Sequence, residues 1–149
     1  KLTRYDQGLG GDFDYTRLDT KFLSFHPLDE DWVLGWRVQL DAVWDRPPFY
    51  GVPWVKLRGV PALRYQGEQV ASLELEVRWR FHPRWGLAAF GGAGWTNSDI
   101  VGIDTSEDVF AYGVGGRYQF LPEENVWLGV DLARGPEEAV FYINIGHPW

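Results

Sequence analysis

The chain has 149 residues, of which 23% are charged and 17% aromatic, and its formal net charge is −7 at pH 7. This length accommodates a single domain over residues 1–149 and excludes a multidomain enzyme. The negative charge disfavours nucleic acid as a partner, and the absence of cysteine excludes disulfides, thiolate metal sites and thiol nucleophiles.

Neither a signal peptide nor a transmembrane helix is expected. Residues 1–25 have no basic start and no unbroken apolar stretch, which a signal peptide would require. No window approaches about 18 consecutive apolar residues, which a transmembrane helix would require. A transmembrane strand needs only about 9–11 residues in which apolar and polar side chains alternate. The sequence therefore excludes a transmembrane helix but does not exclude transmembrane strands.

Alternation of apolar and polar residues predicts eight strands and almost no helix. In chain order, the predicted strands span residues 1–6, 15–26, 32–44, 70–81, 85–95, 110–120, 126–132 and 140–149. The first of these is the end of a strand, and the second alternates more weakly than the others. No segment has an apolar stripe with the 3.6-residue period of a helix.

The predicted strand over residues 70–81 shows the alternation most clearly. Leu73 and Leu75 share one face, whereas Glu74 and Glu76 lie on the other. The interior of an eight-stranded barrel is just wide enough for side chains, so the bulky apolar face belongs outside and the charged, glycine-rich face inside. This polarity predicts an all-β fold, an antiparallel transmembrane β-barrel of about eight strands. The alternative is a soluble barrel or sandwich with the apolar face in its core.

The connections between the predicted strands differ on the two sides of the sheet. Three short connections contain prolines, which cannot continue a strand ladder: Pro27, Pro83 and Pro122. The opposite side has connections at residues 7–14, 45–69, 96–108 and 135–138, of which only the last is short. Short turns on one rim, longer loops on the other and aromatic residues near both are typical of bacterial outer-membrane barrels. We therefore predict a bacterial outer-membrane location with lipid as a partner.

Three segments resemble the C-terminal half of the barrel of BamA and TamA, the outer-membrane assembly superfamily. Residues 57–60, Leu-Arg-Gly-Val, resemble the motif that the longest loop of that family folds back into the barrel. Residues 71–75 resemble the strand that follows, and residues 141–149 resemble the closing strand. The chain has room for about eight strands where the family has sixteen. It is therefore either a fragment or a reduced member without periplasmic substrate-binding domains.

The resemblance implies two sets of functional residues. One would lock the loop in the lumen by pairing an arginine with inward carboxylates, and consists of Arg58, Gly59, Glu74 and Glu76. The other would be a closing-strand signal read by the assembly machinery, and consists of Phe141, Ile143, Ile145 and Trp149. The first set agrees with elementary electrostatics, because an unpaired guanidinium in a narrow lumen costs several kcal/mol.

No pattern in the sequence indicates catalysis. His26, His82 and His147 lack metal-binding spacing, and no serine lies in a Gly-x-Ser-x-Gly elbow. The inward charges are expected to form a salt-bridged plug, and they are Arg37, Asp41, Glu74, Glu76, Arg78, Arg80, Arg117 and Asp131. We therefore predict a protein that is not an enzyme, with no catalytic residue, no metal site and no cofactor.

Two functions fit these predictions. The first is membrane-protein insertion, translocation or local bilayer perturbation by a small assembly-factor barrel. Its first and last strands would form a weak seam that pairs with a second copy or with a partner membrane protein. The second function is a structural or partner-binding outer-membrane module that uses the long loop around Arg58. A soluble ligand-binding barrel of the lipocalin type is a third alternative, and the narrow lumen argues against a diffusion pore.

Overall fold

A computed structural model describes residues 1–10, 12–45, 47–98 and 105–146. These residues form eight strands: β1 (Leu2–Tyr5), β2 (Tyr15–Pro27), β3 (Trp32–Trp44), β4 (Gln69–His82), β5 (Trp85–Ser98), β6 (Thr105–Leu121), β7 (Val126–Arg134) and β8 (Ala139–Ile145). Single turns of 3₁₀ helix, Gln7–Leu9 and Phe49–Gly51, lie in the β1–β2 and β3–β4 connections. No helix in the described ranges is long and apolar enough to cross a membrane.

The eight strands form one antiparallel sheet in which every strand pairs with its neighbours along the chain. The register aligns Leu73 of β4 with Val38 of β3 and Ala93 of β5 on one face. Directly beside them, Glu74 is aligned with Arg37 and Gly92 on the opposite face. The all-β, eight-stranded antiparallel fold predicted from the alternation is therefore confirmed.

The two faces of this sheet differ sharply in polarity. In β4, Leu73 and Leu75 are 44% and 45% exposed, whereas Glu74 and Glu76 are 2% and 0% exposed. The other long strands alternate in the same way, with exposed apolar side chains on the outer face and charged, glycine or buried apolar residues on the inner face. We call the inner face, on which Glu74 and Glu76 lie, the interior. The polarity predicted from the sequence is thus observed.

Short turns join β2 to β3, β4 to β5 and β6 to β7 at one end of the sheet. In the first of these turns, the Asp29 carboxylate accepts hydrogen bonds from the N–H groups of Asp31 at 2.8 Å and Trp32 at 2.9 Å. Such a side-chain bond replaces a backbone turn bond and fixes the reversal. The Trp32 ring stacks on Trp79 of β4 at 5.3 Å, so aromatic residues border this end, as predicted.

The β3–β4 connection returns into the interior. Residues 52–66, here named the inserted segment, fold on themselves, with the N–H of Val55 donating to the carbonyl of Tyr65 at 2.9 Å. The apolar residues of this segment join residues of the sheet in a buried cluster made of Val55, Leu57, Val60, Tyr65, Val70, Val109 and Ala111. An apolar core therefore lies between the inserted segment and the interior face of the sheet.

The predicted connection over residues 96–108 is mostly strand in the structure. β5 continues to Ser98 and β6 begins at Thr105, with Thr96 paired with Glu107. The prediction ended both strands where apolar alternation ends, but a ladder is held by backbone hydrogen bonds that do not require apolar side chains. Residues 99–104 lie outside the described part of the chain.

The outer strands of the sheet, β1 and β8, have no ladder with each other among the described residues. β1 pairs with β2 only opposite residues 15–18. β8 pairs with β7 over residues 139–145, and Gly146 follows with a φ of +87°. The last strand was predicted to extend over residues 140–149, of which 147–149 lie outside the described residues.

Candidate functional site

Strand β4 presents two carboxylates to the interior, because Glu74 and Glu76 are two residues apart and side chains alternate between the faces of a strand. Their partners in the ladders include Gly92 beside Glu74 and Gly35 beside Glu76, which have no side chains. This leaves room next to both carboxylates. A carboxylate buried to this degree requires a cation or several hydrogen-bond donors, so the space beside it has to hold a basic group.

Arg58 of the inserted segment occupies this space. Its Nη2 lies 2.7 Å from Oε1 of Glu74, and its Nη1 lies 2.5 Å from Oε2 of Glu76. The backbone N–H of Arg58 also donates to Oε2 of Glu74 at 3.2 Å. A planar guanidinium can bond two carboxylates at once, which a lysine ammonium does less well. The structure therefore brings together the three charged residues of the predicted loop lock, whose function remains a prediction.

Two further residues contact the Arg58 guanidinium from other strands. Its carbon Cζ lies 3.5 Å from the ring centroid of Phe90 on β5, a cation–π arrangement, and Nη1 lies 3.6 Å from Oδ2 of Asp131 on β7. Asp131 was predicted to lie on the interior face, but neither Asp131 nor Phe90 was predicted to contact Arg58. Their meeting depends on the curvature of the sheet, which strand periodicity does not contain.

Arg58 belongs to a larger set of charged side chains that we call the interior network. Ion pairs link its seven members, which are Arg37, Arg58, Glu74, Glu76, Arg78, Arg117 and Asp131. Arg37 Nη2 lies 3.3 Å from Oε2 of Glu74, and Arg117 Nη1 lies 2.5 Å from Oδ1 of Asp131. Asn144 of β8 donates to the second oxygen of Asp131 at 3.0 Å. The network thus crosses the interior from β3 to β8.

Two residues of the predicted plug have other partners. Asp41 lies 3.5 Å from Nζ of Lys56, at the other side of the inserted segment. Arg80 lies 3.4 Å from Asp31 near the short turns, where both side chains are at least half exposed. Six of the eight residues predicted for the plug therefore belong to the interior network. Asp41 instead contacts the inserted segment, and Arg80 lies at the rim.

Gly59, the second residue of the predicted lock, makes the closest backbone approach of the inserted segment. Its φ is +88°, and its N–H donates to the Tyr142 hydroxyl of β8 at 3.0 Å. A Cβ at this position would lie 3.1 Å from the nitrogen of Gly135 and 3.2 Å from Cβ of Ala133. Both the left-handed conformation and the lack of space require glycine. The inserted segment therefore contacts the β7–β8 end of the sheet directly.

Two glycines of β5 receive apolar side chains of the inserted segment. A Cβ on Gly92 would lie 2.8 Å from Cδ2 of Leu57, and a Cβ on Gly94 would lie 2.5 Å from Cγ1 of Val55. Here Glu76 is the second acid that contacts Arg58, and Gly92 provides space for Leu57.

The inserted segment is also tied to the β7–β8 connection at the surface. Arg64 Nε lies 2.6 Å from Oε1 of Glu137, with side chains that are 50% and 38% exposed. The Tyr65 hydroxyl donates to the same oxygen at 3.5 Å. Burial, assisted by the Glu137 carboxylate, raises the pKa of Tyr65 above its ordinary value. This contact is the solvent-exposed counterpart of the buried pairs around Arg58.

The residues of the predicted closing-strand signal lie on the outer face of β8. Phe141, Ile143 and Ile145 are 60%, 67% and 80% exposed, and they alternate with inward residues such as Asn144. Trp149, the last residue of that predicted set, lies outside the described residues. The structure thus brings three of the four side chains together on an outer strand of the sheet, and their reading as a signal remains a prediction.

The chemistry that this arrangement supports is electrostatic. Within the described ranges, no group of three or more His, Cys, Asp or Glu side chains is arranged to hold a metal ion. The buried carboxylates of the interior network are each within ion-pair distance of at least two guanidinium groups. The network therefore holds a polypeptide segment in place and fills the space enclosed by the sheet.

Comparison with known families gives one match. The sequence model of a family described as "Putative MetA-pathway of phenol degradation" matches residues 3–139. No curated protein matches the chain. The family match provides no link to the BamA and TamA superfamily, so that resemblance remains a prediction. Because the match extends over nearly the whole sequence, the chain belongs to this phenol-degradation family.

Proposed function

We propose that this protein is an outer-membrane β-barrel protein that mediates the entry of small aromatic compounds. The observation that carries the membrane assignment is the polarity of the sheet, with Leu73 and Leu75 outward and Glu74 and Glu76 buried inside. A continuous apolar outer face of this kind would drive association in water, whereas hydrocarbon is its natural solvent. Charged side chains are tolerated in the interior because they pair with one another.

The substrate class is inferred from the family, whose description names phenol degradation. The inserted segment and the interior network fill the space enclosed by the sheet, so passage of a compound requires displacement of that segment. The buried contacts of Arg58 with Glu74 and Glu76 oppose displacement of the inserted segment. The exposed contact between Arg64 and Glu137 opposes this displacement only weakly. Entry would therefore be gated by the inserted segment.

Uptake of radiolabelled phenol tests this function. Cells that carry the protein in the outer membrane should accumulate phenol at micromolar concentration faster than cells without it. Arg58→Lys, which keeps the charge but loses the two-carboxylate geometry, should raise the initial rate at equal surface abundance. Equal uptake with and without the protein, despite confirmed insertion into the membrane, would contradict the proposal.

A second function, assembly or insertion of membrane proteins, is favoured by two observations. Arg58 and its two carboxylates are arranged as the resemblance to assembly factors requires, and β1 has no ladder with β8 in the described residues. A homodimer would then form through these edges. Cysteines introduced at Leu2 and Ile145 test it, because the chain has no native cysteine. Intermolecular disulfides support edge pairing, and exclusively intramolecular ones argue against it.

The partner-binding alternative assigns recognition to the β3–β4 connection. Val55, Leu57 and Val60 of the inserted segment are buried in the core, which leaves little of this segment free for a partner. Deletion of residues 52–66 distinguishes a structural role of the inserted segment from a role in binding a partner. Loss of folding favours a segment that holds the sheet together, whereas a folded protein that has lost a partner favours the binding module.

A further inference from the structure

Five aromatic residues gather at the end of the sheet opposite the short turns. They belong to β1, β2 and the connections at this end, and we call them the mouth cluster: Tyr5, Phe13, Tyr15, Phe49 and Tyr50. The Tyr5 ring stacks on Tyr15, with ring centroids 4.2 Å apart. Phe13 and Phe49 each meet the Tyr50 ring edge to face, at centroid distances of 6.2 and 5.4 Å. Aromatic rings prefer both of these arrangements.

The turn that carries two of these rings is held against the interior face. Arg17 is aligned with Val43 of β3, which is 2% exposed, so Arg17 and Tyr15 belong to the interior face of β2. Nη1 of Arg17 donates to the carbonyl of Gly51 at 2.9 Å, and a Cβ on Gly51 would lie 3.3 Å from the Tyr15 ring. The Phe49–Gly51 turn is therefore anchored at the interior face, directly before the inserted segment.

Three rings of the cluster are exposed although the backbone around them is fixed by hydrogen bonds. They are Phe13, Phe49 and Tyr50, which are 41%, 84% and 57% exposed. The N–H of Gly51 donates to the carbonyl of Pro48 at 2.8 Å. In the β1–β2 connection, the N–H of Gln7 donates to the Asp14 carboxylate at 2.8 Å. A contiguous exposed apolar surface often marks a binding site, and preordered groups lose little entropy when a ligand binds.

The charged groups next to the cluster are acidic. Asp12 and Asp14 flank Phe13 in the chain, and Asp6 lies in the same connection. Within the described ranges, no basic side chain is at ion-pair distance from these three carboxylates. A benzoate or a lipid phosphate would be repelled by them, whereas an uncharged ring would not. The cluster therefore favours an uncharged ligand.

We propose that the mouth cluster binds uncharged compounds with a single aromatic ring, through the exposed rings of Phe13, Phe49 and Tyr50. An edge-to-face pair leaves ring faces and edges exposed, and a further ring can stack on a face or approach it edge first. This inference rests on the proposed entry of aromatic compounds and adds the place where they first bind. Because the inserted segment begins at Val52, the bound compounds are concentrated beside the segment that gates their entry.

Fluorine NMR of 4-fluorophenol tests the binding. The full chain is placed in phosphatidylcholine nanodiscs, and empty nanodiscs are the reference. The protein should broaden the fluorine signal more than the empty nanodiscs do. Unlabelled phenol should reverse this broadening at about tenfold lower concentration than benzoate, which is charged, or cyclohexanol, which lacks an aromatic ring. Equal competition by the three compounds would overturn the proposal.

Replacement of exposed rings locates the binding. The double variant Phe49→Leu, Tyr50→Leu keeps apolar side chains but loses two rings, and it should reduce the broadening about fivefold. Because both residues are exposed, the variant should fold. Phe110→Leu is the matched control, since Phe110 is 67% exposed on the outer face, and it should broaden the signal like the unaltered protein. An equal loss in the two variants would place the compound at the lipid boundary and overturn the proposal.

Uptake of radiolabelled phenol separates this site from the proposed function. The double variant should lower the initial rate at equal surface abundance. Unchanged uptake together with unchanged broadening would overturn the site but not the entry of aromatic compounds. If the unaltered protein mediates no uptake, the proposed function is contradicted, and the broadening still decides whether the site exists. Weaker membrane insertion of the double variant with unchanged broadening would identify the rings as a lipid anchor and also overturn the site.

Discussion

The guanidinium of Arg58 lies between Glu74 and Glu76, and Glu76 is completely buried. These three residues connect the inserted segment to the middle of the sheet. Because the pairs are shielded from solvent, the loss of Arg58 removes a buried ion pair from each carboxylate, and the closest described cations are then Arg37 beside Glu74 and Arg78 beside Glu76. The contact should therefore contribute far more to stability than the exposed ion pairs at the rim.

We expect Arg58→Ala to lower the free energy of unfolding by about 3–5 kcal/mol, because it breaks the buried ion pairs that tie the inserted segment to Glu74 and Glu76. Denaturant unfolding in detergent, followed by tryptophan fluorescence, measures this. Arg64→Ala is the control, since its pair with Glu137 is exposed and should contribute only about 0–1 kcal/mol. Equal effects of the two substitutions would show that the buried pairs do not hold the inserted segment.

Gly59→Ala should destabilise the protein through two separate effects. The positive φ of Gly59 costs a side chain about 1–2 kcal/mol, and the contacts with Ala133 and Gly135 add a steric cost. Gly146→Ala isolates the first effect, because Gly146 has a φ of +87° but no atom within 4 Å of its Cβ position. Thermal unfolding should give the larger loss for Gly59→Ala. Equal losses would mean that the close approach to β7 contributes nothing.

A side chain at Gly92 should displace the inserted segment. Gly92→Val is expected to cost about 1–3 kcal/mol and to make residues 52–66 sensitive to proteases, because the new side chain collides with Leu57. Leu57→Ala in the same chain should restore part of the loss. Gly91→Val, one residue away with its Cβ position at least 3.8 Å from other atoms, is the control and should be nearly neutral. Similar protease sensitivity in both variants would contradict this packing.

The outer face should reject charge if it contacts lipid. We expect Leu75→Arg to cost about 2–4 kcal/mol in a phospholipid bilayer, because a guanidinium near the midplane is poorly solvated. Reversible unfolding from vesicles into urea measures the difference. Leu75→Ile is the control and should cost less than about 1.5 kcal/mol. A Leu75→Arg variant as stable as Leu75→Ile would be incompatible with a lipid-facing surface.

Strand positions and faces could be predicted from the sequence because they depend on local alternation. The predicted strand over residues 32–44 has the same ends as β3, and the inward orientation of Glu74 and Glu76 follows from their spacing. The ends of β5 and β6 were missed, because polar residues near Ser98 and Thr105 continue the ladder without apolar alternation.

The pairing of Arg58 with carboxylates was suggested by the segment that contains it, but its full environment was not. Phe90 and Asp131 come from strands far along the chain, and they meet Arg58 only because the sheet curves around the inserted segment. Likewise, Gly59 contacts Tyr142, which is 83 residues further along the chain. Such contacts depend on register and curvature together, and alternation within one strand specifies neither.

A membrane-spanning barrel requires that hydrocarbon surround the outer face of the sheet. Because the chain has no cysteine, single nitroxide labels can be attached at Leu73→Cys, Leu75→Cys and Val77→Cys without altering other residues. In lipid vesicles, we expect all three labels to collide with dissolved oxygen, which concentrates in hydrocarbon, and to be shielded from a water-soluble nickel chelate. Labels that collide freely with the nickel chelate would place this face in water and contradict the account.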